Sequence, residues 1–376
     1  MGVPSTVSAP SSAPESPLQT VAGLVLRRSL GLKRGDSVII EAWTHMLPWA
    51  RALSTEARRN GIRPMVLYED EEAYWQSVES AQSKDVGTVG AAEWAALQAT
   101  DGYVFLRGPE DARRFDALPP EKRSALVGYN SEWYRRAEKA KIRGCRIEMG
   151  RATRTLAERY GVDLAGWQSE LLRACQVDPR TFAREAQRLV PRLRKGRRLT
   201  IKHANGTSLE LALAGRAPFA DDGVVDEADV RAGNNLCTIP GAAVLTSVDE
   251  RIAEGRFVAN RPTFLRGGRM EGGVWTFEKG KLTEARYRVG EEHFRTPYDQ
   301  APAGKEKPGF VSFGLNPELR FAPGLEDQER GVMTLGIGGN SSYGGKNRVG
   351  YAAWLVLHGA HVELDGRTIL ADGELL

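Results

Sequence analysis

The sequence predicts an α/β protein in two parts: an N-terminal open α/β domain with a parallel sheet, and a mainly β C-terminal domain. An apolar strand at 37–41, a helix at 47–60 and a second apolar strand at 64–68 form a βαβ unit. Such a unit requires a parallel sheet covered by helices. The stretch 199–213, by contrast, alternates apolar and polar residues around Asn205-Gly206, which is a strong hairpin signal.

The N-terminal half continues the α/β pattern. An amphipathic helix is predicted at 18–32, further strands at 101–106 and 142–148, and helices at 151–175 and 178–194. We therefore expect the N-terminal domain to span 18–195 and the C-terminal domain 196–376. Residues 1–17 are rich in Ser, Pro and Ala, a composition that predicts a disordered tail.

The C-terminal half contains further predicted strands at 255–262, 273–277 and 282–289, followed by a glycine-rich stretch at 308–373. Two glycine-rich turns are predicted there, at 338–340 and 344–347, and glycine-rich turns that flank a strand often line a site. Glycine permits positive φ and a close backbone approach. These turns are therefore interpreted either as tight hairpins or as the lining of a ligand site, and the glycines alone leave both readings open.

Composition excludes several classes of protein. With 52 basic and 48 acidic residues, the net charge of +4 makes no strong electrostatic case for nucleic-acid binding. The sequence contains no apolar run of the roughly 18 residues that a membrane helix needs. Three cysteines far apart form neither a metal-binding spacing nor a disulfide framework, so we expect a reducing cytoplasm.

The sequence lacks the common motifs of serine hydrolases and of nucleotide-binding proteins. The sequence contains no G-x-S-x-G elbow, and the glycines at 336–345 lack the Lys-Ser/Thr of a phosphate-binding loop. His358, His361 and Glu363 form H-x-x-H-x-E, which would place both histidines on one face of a helix. In the strand expected here, residues three apart point to opposite faces, so a polar edge is favoured over a metal site.

Several segments together resemble the M29 metallo-aminopeptidases, the aminopeptidase T group. The C-terminal matches are the Gly-Leu-Asn-Pro segment at 314–317, the stretch 331–338 and the Asp-Gly hairpin at 362–366. The opening at 35–71 and the hairpin at 206–209 match in the same order, so the resemblance spans roughly 20–373. It implies the fold of that family, which the related 2,5-dihydroxypyridine dioxygenases share.

The resemblance also implies where metal ligands would lie. The family's two glutamates fall on Ala243 and Phe310, and its first histidine falls on Thr334. Its final His-x-Asp falls within 351–355, which holds neither a histidine nor an acid. A divalent cation needs at least three imidazole, carboxylate or thiolate donors. We therefore expect a degenerate member with no metal, no other cofactor and no catalytic residue.

The predicted function is that of a non-catalytic peptide-binding protein in a cytoplasmic homodimer. It would present a precursor peptide to modifying enzymes in the maturation of a peptide natural product. The alternative is a metal-dependent aminopeptidase or an iron dioxygenase whose ligands lie elsewhere. The predicted peptide-binding cleft comprises Ala243, Phe310, Thr334, Gly338, Gly339, Gly344, Gly345, Tyr351 and Trp354.

Three expectations follow for this cleft. Its four segments should lie together although they are far apart in the chain. The backbone N–H and C=O groups of its glycines should donate and accept hydrogen bonds with a peptide. Ala243→Arg should weaken peptide binding without unfolding the protein, because the residue is expected to face a cavity.

Overall fold

The computed structural model describes residues 16–265 and 267–376. Ser16 caps the first helix, which begins at Pro17, and the rest of the predicted tail at 1–17 lies outside the described residues. The helices α1 to α12 are, in order, Pro17–Leu24, Leu47–Arg59, Glu71–Ser80, Ser83–Val86, Ala91–Gln98, Ala112–Ala117, Pro120–Lys139, Arg154–Tyr160, Leu164–Cys175, Pro179–Lys195, Glu227–Ala232 and Glu291–Gln300.

The nineteen strands found in residues 16–265 and 267–376 are labelled β1 to β19 in chain order. They are Ser37–Trp43, Arg63–Glu69, Gly102–Leu106, Arg143–Ile147, Arg198–His203, Thr207–Leu213, Phe219–Asp221, Leu236–Ile239, Ala243–Val258, Thr263–Leu265, Gly268–Met270, Val274–Glu278, Lys281–Arg286, Pro308–Gly314, Val332–Gly338, Ala352–His358, His361–Leu364, Arg367–Ala371 and Glu374–Leu375.

The first sheet is parallel and confirms the predicted open α/β architecture. Its strand order is β2-β1-β3-β4-β8, and all four pairings are parallel. Apolar side chains of β1, β3 and β4 enter a buried core with α1 and α2. The fifth strand, β8, comes from beyond residue 195. The sheet therefore extends across the predicted domain boundary, which itself stays a prediction.

The second sheet is antiparallel, has 12 strands and confirms the mainly β character of the C-terminal region. Its central strand is β9, of 16 residues. The first half of β9 pairs with β7 and β14, and the second half pairs with β6 and β12. The strand predicted at 255–262 thus overlaps only the end of a much longer element, in which Gly255 has φ 114°.

Strands β14 and β15 are buried along their whole length. One face of this pair joins the main hydrophobic core, and the other carries Phe310, Ser312 and Thr334. Gly336 lies directly opposite Phe310, and a Cβ placed there would lie 2.1 Å from the Phe310 ring. Glycine is needed at this position because the aromatic ring occupies the space of any side chain.

The single helix predicted at 151–175 is divided into α8 and α9. Gly161 ends α8 with φ 62°, a left-handed conformation that glycine adopts without strain. The Asp163 side chain then caps α9 by accepting a hydrogen bond from the N–H of Gly166. Within residues 16–265 and 267–376, no helix combines the length and the apolar composition that crossing a membrane requires.

Candidate functional site

Four adjacent strands bring together residues that are distant in the chain. We define the four-strand face as eight of the residues of β9, β14, β15 and β16 that share a side with Phe310: Ala243, Leu245, Ser247, Phe310, Ser312, Thr334, Gly336 and Trp354. Register fixes this set, because Ala243 lies opposite Gly314, Ser312 lies opposite Thr334, and Gly336 lies between Phe310 and Trp354. Ala243, Phe310, Thr334 and Trp354 therefore lie on one surface. Their role in binding stays a prediction.

The four-strand face carries a partly exposed aromatic patch, which consists of Phe219, Phe310, Tyr343 and Trp354. Buried Ala243, Leu245 and Phe310 form its base, against which the half-buried Phe219, Tyr343 and Trp354 pack. The Phe310 and Tyr343 ring centroids are 5.2 Å apart. Aromatic side chains that remain accessible above an apolar base are suited to contact a ligand.

Tyr351 does not lie on the four-strand face, so its predicted place in the cleft is wrong. Its side chain is buried in the main core with Ala353 and Leu355, and its ring contacts Tyr298 at 5.6 Å between centroids. The reason is the strand period of two, since residues 351, 353 and 355 point away from the side that Trp354 occupies.

The N–H groups of the four glycines in the predicted cleft are not free to donate hydrogen bonds to a ligand. The N–H of Gly338 donates to the carbonyl of Lys307, and that of Gly339 donates to Tyr351. The N–H groups of Gly344 and Gly345 donate to carbonyls within the loop itself. All four hydrogen bonds hold the loop that places Tyr343 against Phe310. These glycines therefore shape the patch, and the prediction that their N–H groups are available to a peptide is wrong.

Ala243 does not face a cavity. It is fully buried beneath the aromatic patch. An arginine at this position would put an unpaired charge into an apolar cluster, which costs several kcal/mol. The burial of Ala243 therefore argues against the prediction that Ala243→Arg spares the fold, and the exposed rim of the patch is the better place to test binding.

The rim residue Trp354 is held by a buried acid, Glu326. The Oε1 atom of Glu326 accepts hydrogen bonds from the indole Nε1 of Trp354 (3.2 Å) and from the N–H of Phe264 (3.1 Å). Burial raises the pKa of Glu326 to about 7, and burial likewise raises the pKa of the adjacent Asp327 to about 6. No sequence motif marked either acid as part of the site.

Glu326 should make stability depend on pH. Its pKa is higher in the folded chain than the ordinary value of 4.5, so its protonated form stabilises the fold below pH 4.5 and this stabilisation is lost as the pH rises through about 7. Between pH 8 and 5 we expect Glu326→Gln to abolish a gain of about 1–3 kcal/mol in the free energy of unfolding. Urea unfolding across this range measures the effect.

The exposed Glu121→Gln is the control for this measurement, and it should retain the pH dependence of the wild-type chain. The half-buried Glu41 and Asp222 also have pKa values raised to about 7, mainly by desolvation. The effect of Glu326 is therefore obtained by comparing the pH dependence of the free energy of unfolding between the two variants. Identical pH profiles for Glu326→Gln and Glu121→Gln would contradict the assignment.

A cavity of about 520 Å³ lies at the carboxyl edge of the parallel sheet. Residues following β1, β3 and β4 line it with one face of α9; they include His45, Trp49, Glu110, Met149, Thr153 and Gln168. In the sheet, β2 lies on one side of β1 and β3 lies on the other, so the direction of strand addition reverses at β1. Ligands of open α/β sheets bind at the carboxyl edge where this reversal occurs. None of the residues predicted for the cleft lies here.

One group of three metal-ligand side chains occurs in the described part of the chain. It consists of His45, Glu71 and Glu110, whose donor atoms all lie within 4.8 Å of one another. Glu71 already accepts hydrogen bonds from the N–H groups of Glu110 and Asp111, both at 2.8 Å. The two ring nitrogens of His45 are buried and have no hydrogen-bond partner among the described residues.

His358 and His361 do not form such a group with Glu363 within the described ranges. His361 lies 3.3 Å from Glu363, whereas the His358 ring lies 3.7 Å from Glu329. The two histidines end β16 and begin β17, and they are separated by the turn at Gly359. This arrangement agrees with the predicted polar edge.

Comparisons of the sequence with protein families and with known proteins both point to the same family. The model of the thermophilic metalloprotease (M29) family matches residues 15–300. Aminopeptidase T of Thermus thermophilus is 26% identical over 314 residues, which cover 75% of this chain and 73% of that protein.

Two solved structures share the fold. Wild-type AmpT from Thermus thermophilus matches with a TM-score of 0.70 and 21% identity, over 96% of this chain and 99% of that one. The 2,5-dihydroxypyridine dioxygenase from Pseudomonas putida KT2440 matches with a TM-score of 0.64 and 15% identity, over 96% and 98% of the two chains. Since the family model covers well over half of the sequence, the chain belongs to the M29 family of thermophilic metalloproteases.

Proposed function

We propose that this M29 member binds an extended peptide on the four-strand face and does not hydrolyse it. In this proposal it presents a precursor peptide to modifying enzymes in the maturation of a peptide natural product. The observation that carries the proposal is the composition of the face, where the partly exposed aromatic patch includes Phe310 and packs on Ala243, and Thr334 lies on the next strand.

The side chains of this face do not fit the metal that the family name implies. Ala243 and Phe310 have no donor atom, and Ser247, Ser312 and Thr334 contribute hydroxyl groups, which are poor ligands. The acid in closest register is Asp221 of β7, opposite Ala243, and it accepts a hydrogen bond from the N–H of Thr238. Glu326 and Asp327 also lie near this face, but among the described residues these acids do not form a group of three donors close enough to share a cation.

An extended peptide suits this surface for two reasons. Strand β16 is the last strand of its sheet, and extended peptides bind by adding to such an edge. Trp354 lies on this strand and projects onto the aromatic patch, so a peptide paired with β16 would place alternate side chains on that patch. Asn260 and Arg261 cover the end of β16 at 356–358, so that part of the edge is not available to a peptide.

Trp354→Ala should therefore weaken peptide binding by about tenfold to a hundredfold, the loss typical of an aromatic anchor at an interface. Fluorescence anisotropy with a labelled pool of random hexapeptides measures it. Trp133→Ala is the matched control, since Trp133 is a half-buried tryptophan of the N-terminal region whose ring contacts Tyr103. Equal affinities of the two variants would refute the assigned surface.

A second candidate function is metal-dependent aminopeptidase activity with displaced ligands, and the group of His45, Glu71 and Glu110 favours it. This group lies at the carboxyl edge of the parallel sheet, not on the four-strand face. An iron dioxygenase of the dihydroxypyridine type would need the same kind of donor set. Metal analysis of the purified chain, with assays for release of N-terminal amino acids, separates these functions from peptide binding alone.

Stoichiometric zinc, with hydrolysis abolished by chelation and by His45→Ala, would overturn the non-catalytic proposal. Stoichiometric iron lost in the same variant would favour the dioxygenase. A chain that binds the peptide pool at full affinity after chelation and releases no amino acid would support the proposal.

We further propose that the chain acts as a cytoplasmic homodimer. Cys145, Cys175 and Cys237 are all buried and unpaired, as expected for a reducing compartment. Light scattering at micromolar concentration tests the dimer, and a mass near that of one chain would contradict it.

A further inference from the structure

Three arginines surround a single buried carboxylate where the parallel sheet ends. Glu148 is fully buried and follows β4 directly. Its Oε1 lies 3.5 Å from Nη1 of Arg107 and 2.6 Å from Nε of Arg146, and its Oε2 lies 2.9 Å from Nε of Arg151. We call Arg107, Arg146 and Arg151 the arginine triad.

The arginine triad has too few anionic partners. Three guanidinium groups share one carboxylate, and within the described residues none of them forms another ion pair shorter than 4.0 Å. The charge of Arg151, together with burial, lowers the pKa of Arg107 to about 10. Burial opposes ionisation of Glu148, but the three arginines outweigh it and lower its pKa to about 2.

Hydrogen-bond donors of the triad remain available. Arg151 donates a hydrogen bond to Glu148 through Nε. Its two Nη groups have no hydrogen-bond partner in residues 16–265 and 267–376. The same holds for Nη2 of Arg107. The side chains of Arg107, Arg146 and Arg151 are 34%, 30% and 17% exposed, so a small anion can reach them. A guanidinium binds a carboxylate with two parallel hydrogen bonds.

The triad lies next to the four-strand face. Asp221, which is paired with Ala243, is close enough to Arg146 that the guanidinium partly opposes the rise in its pKa that burial causes. On the other side, a Cβ on Gly324 would lie 2.4 Å from Nη1 of Arg151. The N–H of Gly324 donates to Glu326, the residue that holds Trp354. The segment around Gly324 thus connects the triad to the rim of the aromatic patch.

We propose that the arginine triad binds a carboxylate of the peptide whose other side chains contact the aromatic patch. This inference rests on the proposed function and adds a requirement for a negative group at one end of the bound segment. Two sources supply this chemistry: the C-terminal carboxylate of the peptide, or an Asp or Glu side chain near the bound residues.

Changing the ligand tests the inference on the unaltered full-length chain. Three labelled pools of random hexapeptides are compared by fluorescence anisotropy: free-acid peptides lacking Asp and Glu, amidated peptides containing them, and amidated peptides lacking them. We expect the third pool to bind about tenfold or more weakly than the better of the other two, the loss of one charge-assisted contact. Preference for the first pool identifies the terminal carboxylate, and preference for the second identifies a side chain.

Two further outcomes are decisive. Equal affinity for all three pools would overturn the carboxylate site and leave the proposed function standing. No binding by any pool would overturn the proposed function and this inference with it.

Changing the protein gives an independent readout. Arg107→Gln removes the most exposed member of the triad, and we expect it to reduce the preference for the carboxylate pools to about twofold or less. Arg143→Gln is the control, because Arg143 lies on the same strand as Arg146 but pairs with the exposed Glu227. If Arg107→Gln retains the wild-type preference in a folded chain, or if Arg143→Gln abolishes it equally, the triad is not the carboxylate site.

Discussion

Glu148→Ala is expected to lower the free energy of unfolding by about 3–5 kcal/mol, more than any other substitution proposed for this chain. Its removal leaves three guanidinium groups close together at the end of the parallel sheet with no carboxylate between them. Each would repel the others around the fully buried position that Glu148 occupies. Urea denaturation at pH 7, followed by circular dichroism, measures the change.

Glu227→Ala is the matched control for this experiment. Glu227 is also a glutamate paired with an arginine, Arg143, but its side chain is 72% exposed. Exposed ion pairs contribute little, so we expect a change within about 0.5 kcal/mol. If Glu148→Ala proved as mild as Glu227→Ala, the triad would be well solvated, and the charge imbalance behind the carboxylate proposal would lose its basis.

Gly336→Ala is expected to lower the free energy of unfolding by about 1–3 kcal/mol through overpacking. The added methyl group would lie 2.1 Å from the Phe310 ring, so the ring must leave its place above β15. Gly350→Ala is the control, because no atom lies within 4 Å of a Cβ at that position. We expect that control to change stability by no more than about 0.5 kcal/mol.

A double-mutant cycle shows whether the Phe310 ring is the cause. In the background of Phe310→Ala the clash is absent, so Gly336→Ala should then cost about 1 kcal/mol less than in the wild-type chain. Additive effects would show that another neighbour creates the strain. The peptide affinity of Gly336→Ala gives a second readout, since displacement of Phe310 alters the aromatic patch.

The fold could be predicted in outline because its signals are local. The strand, helix and strand at 37–68 have the periods of their structures, and Asn205-Gly206 marks a hairpin that the structure contains between β5 and β6. Local sequence patterns do not indicate which strands pair when they are far apart in the chain. Neither the extension of β9 to 16 residues nor the entry of β8 into the parallel sheet has a signal in the nearby sequence.

The candidate site was partly predictable for the same reason. Motif order placed Ala243, Phe310, Thr334 and Trp354 in segments that prove to be adjacent strands. Tyr351 was misplaced because a strand turns alternate residues to opposite faces, and the glycines were misread because their N–H groups are used within their own loop. Glu326 could not be found, since its importance comes from contacts with Phe264 and Trp354.

The sequence by itself determined that this is an α/β chain with an M29-like order of segments. This follows from residue identity and local spacing. Only the tertiary structure decided that Arg107, Arg146 and Arg151 meet at Glu148. Parallel strands end at a common edge, so β3 and β4 bring together residues that are about 40 positions apart and belong to no shared motif.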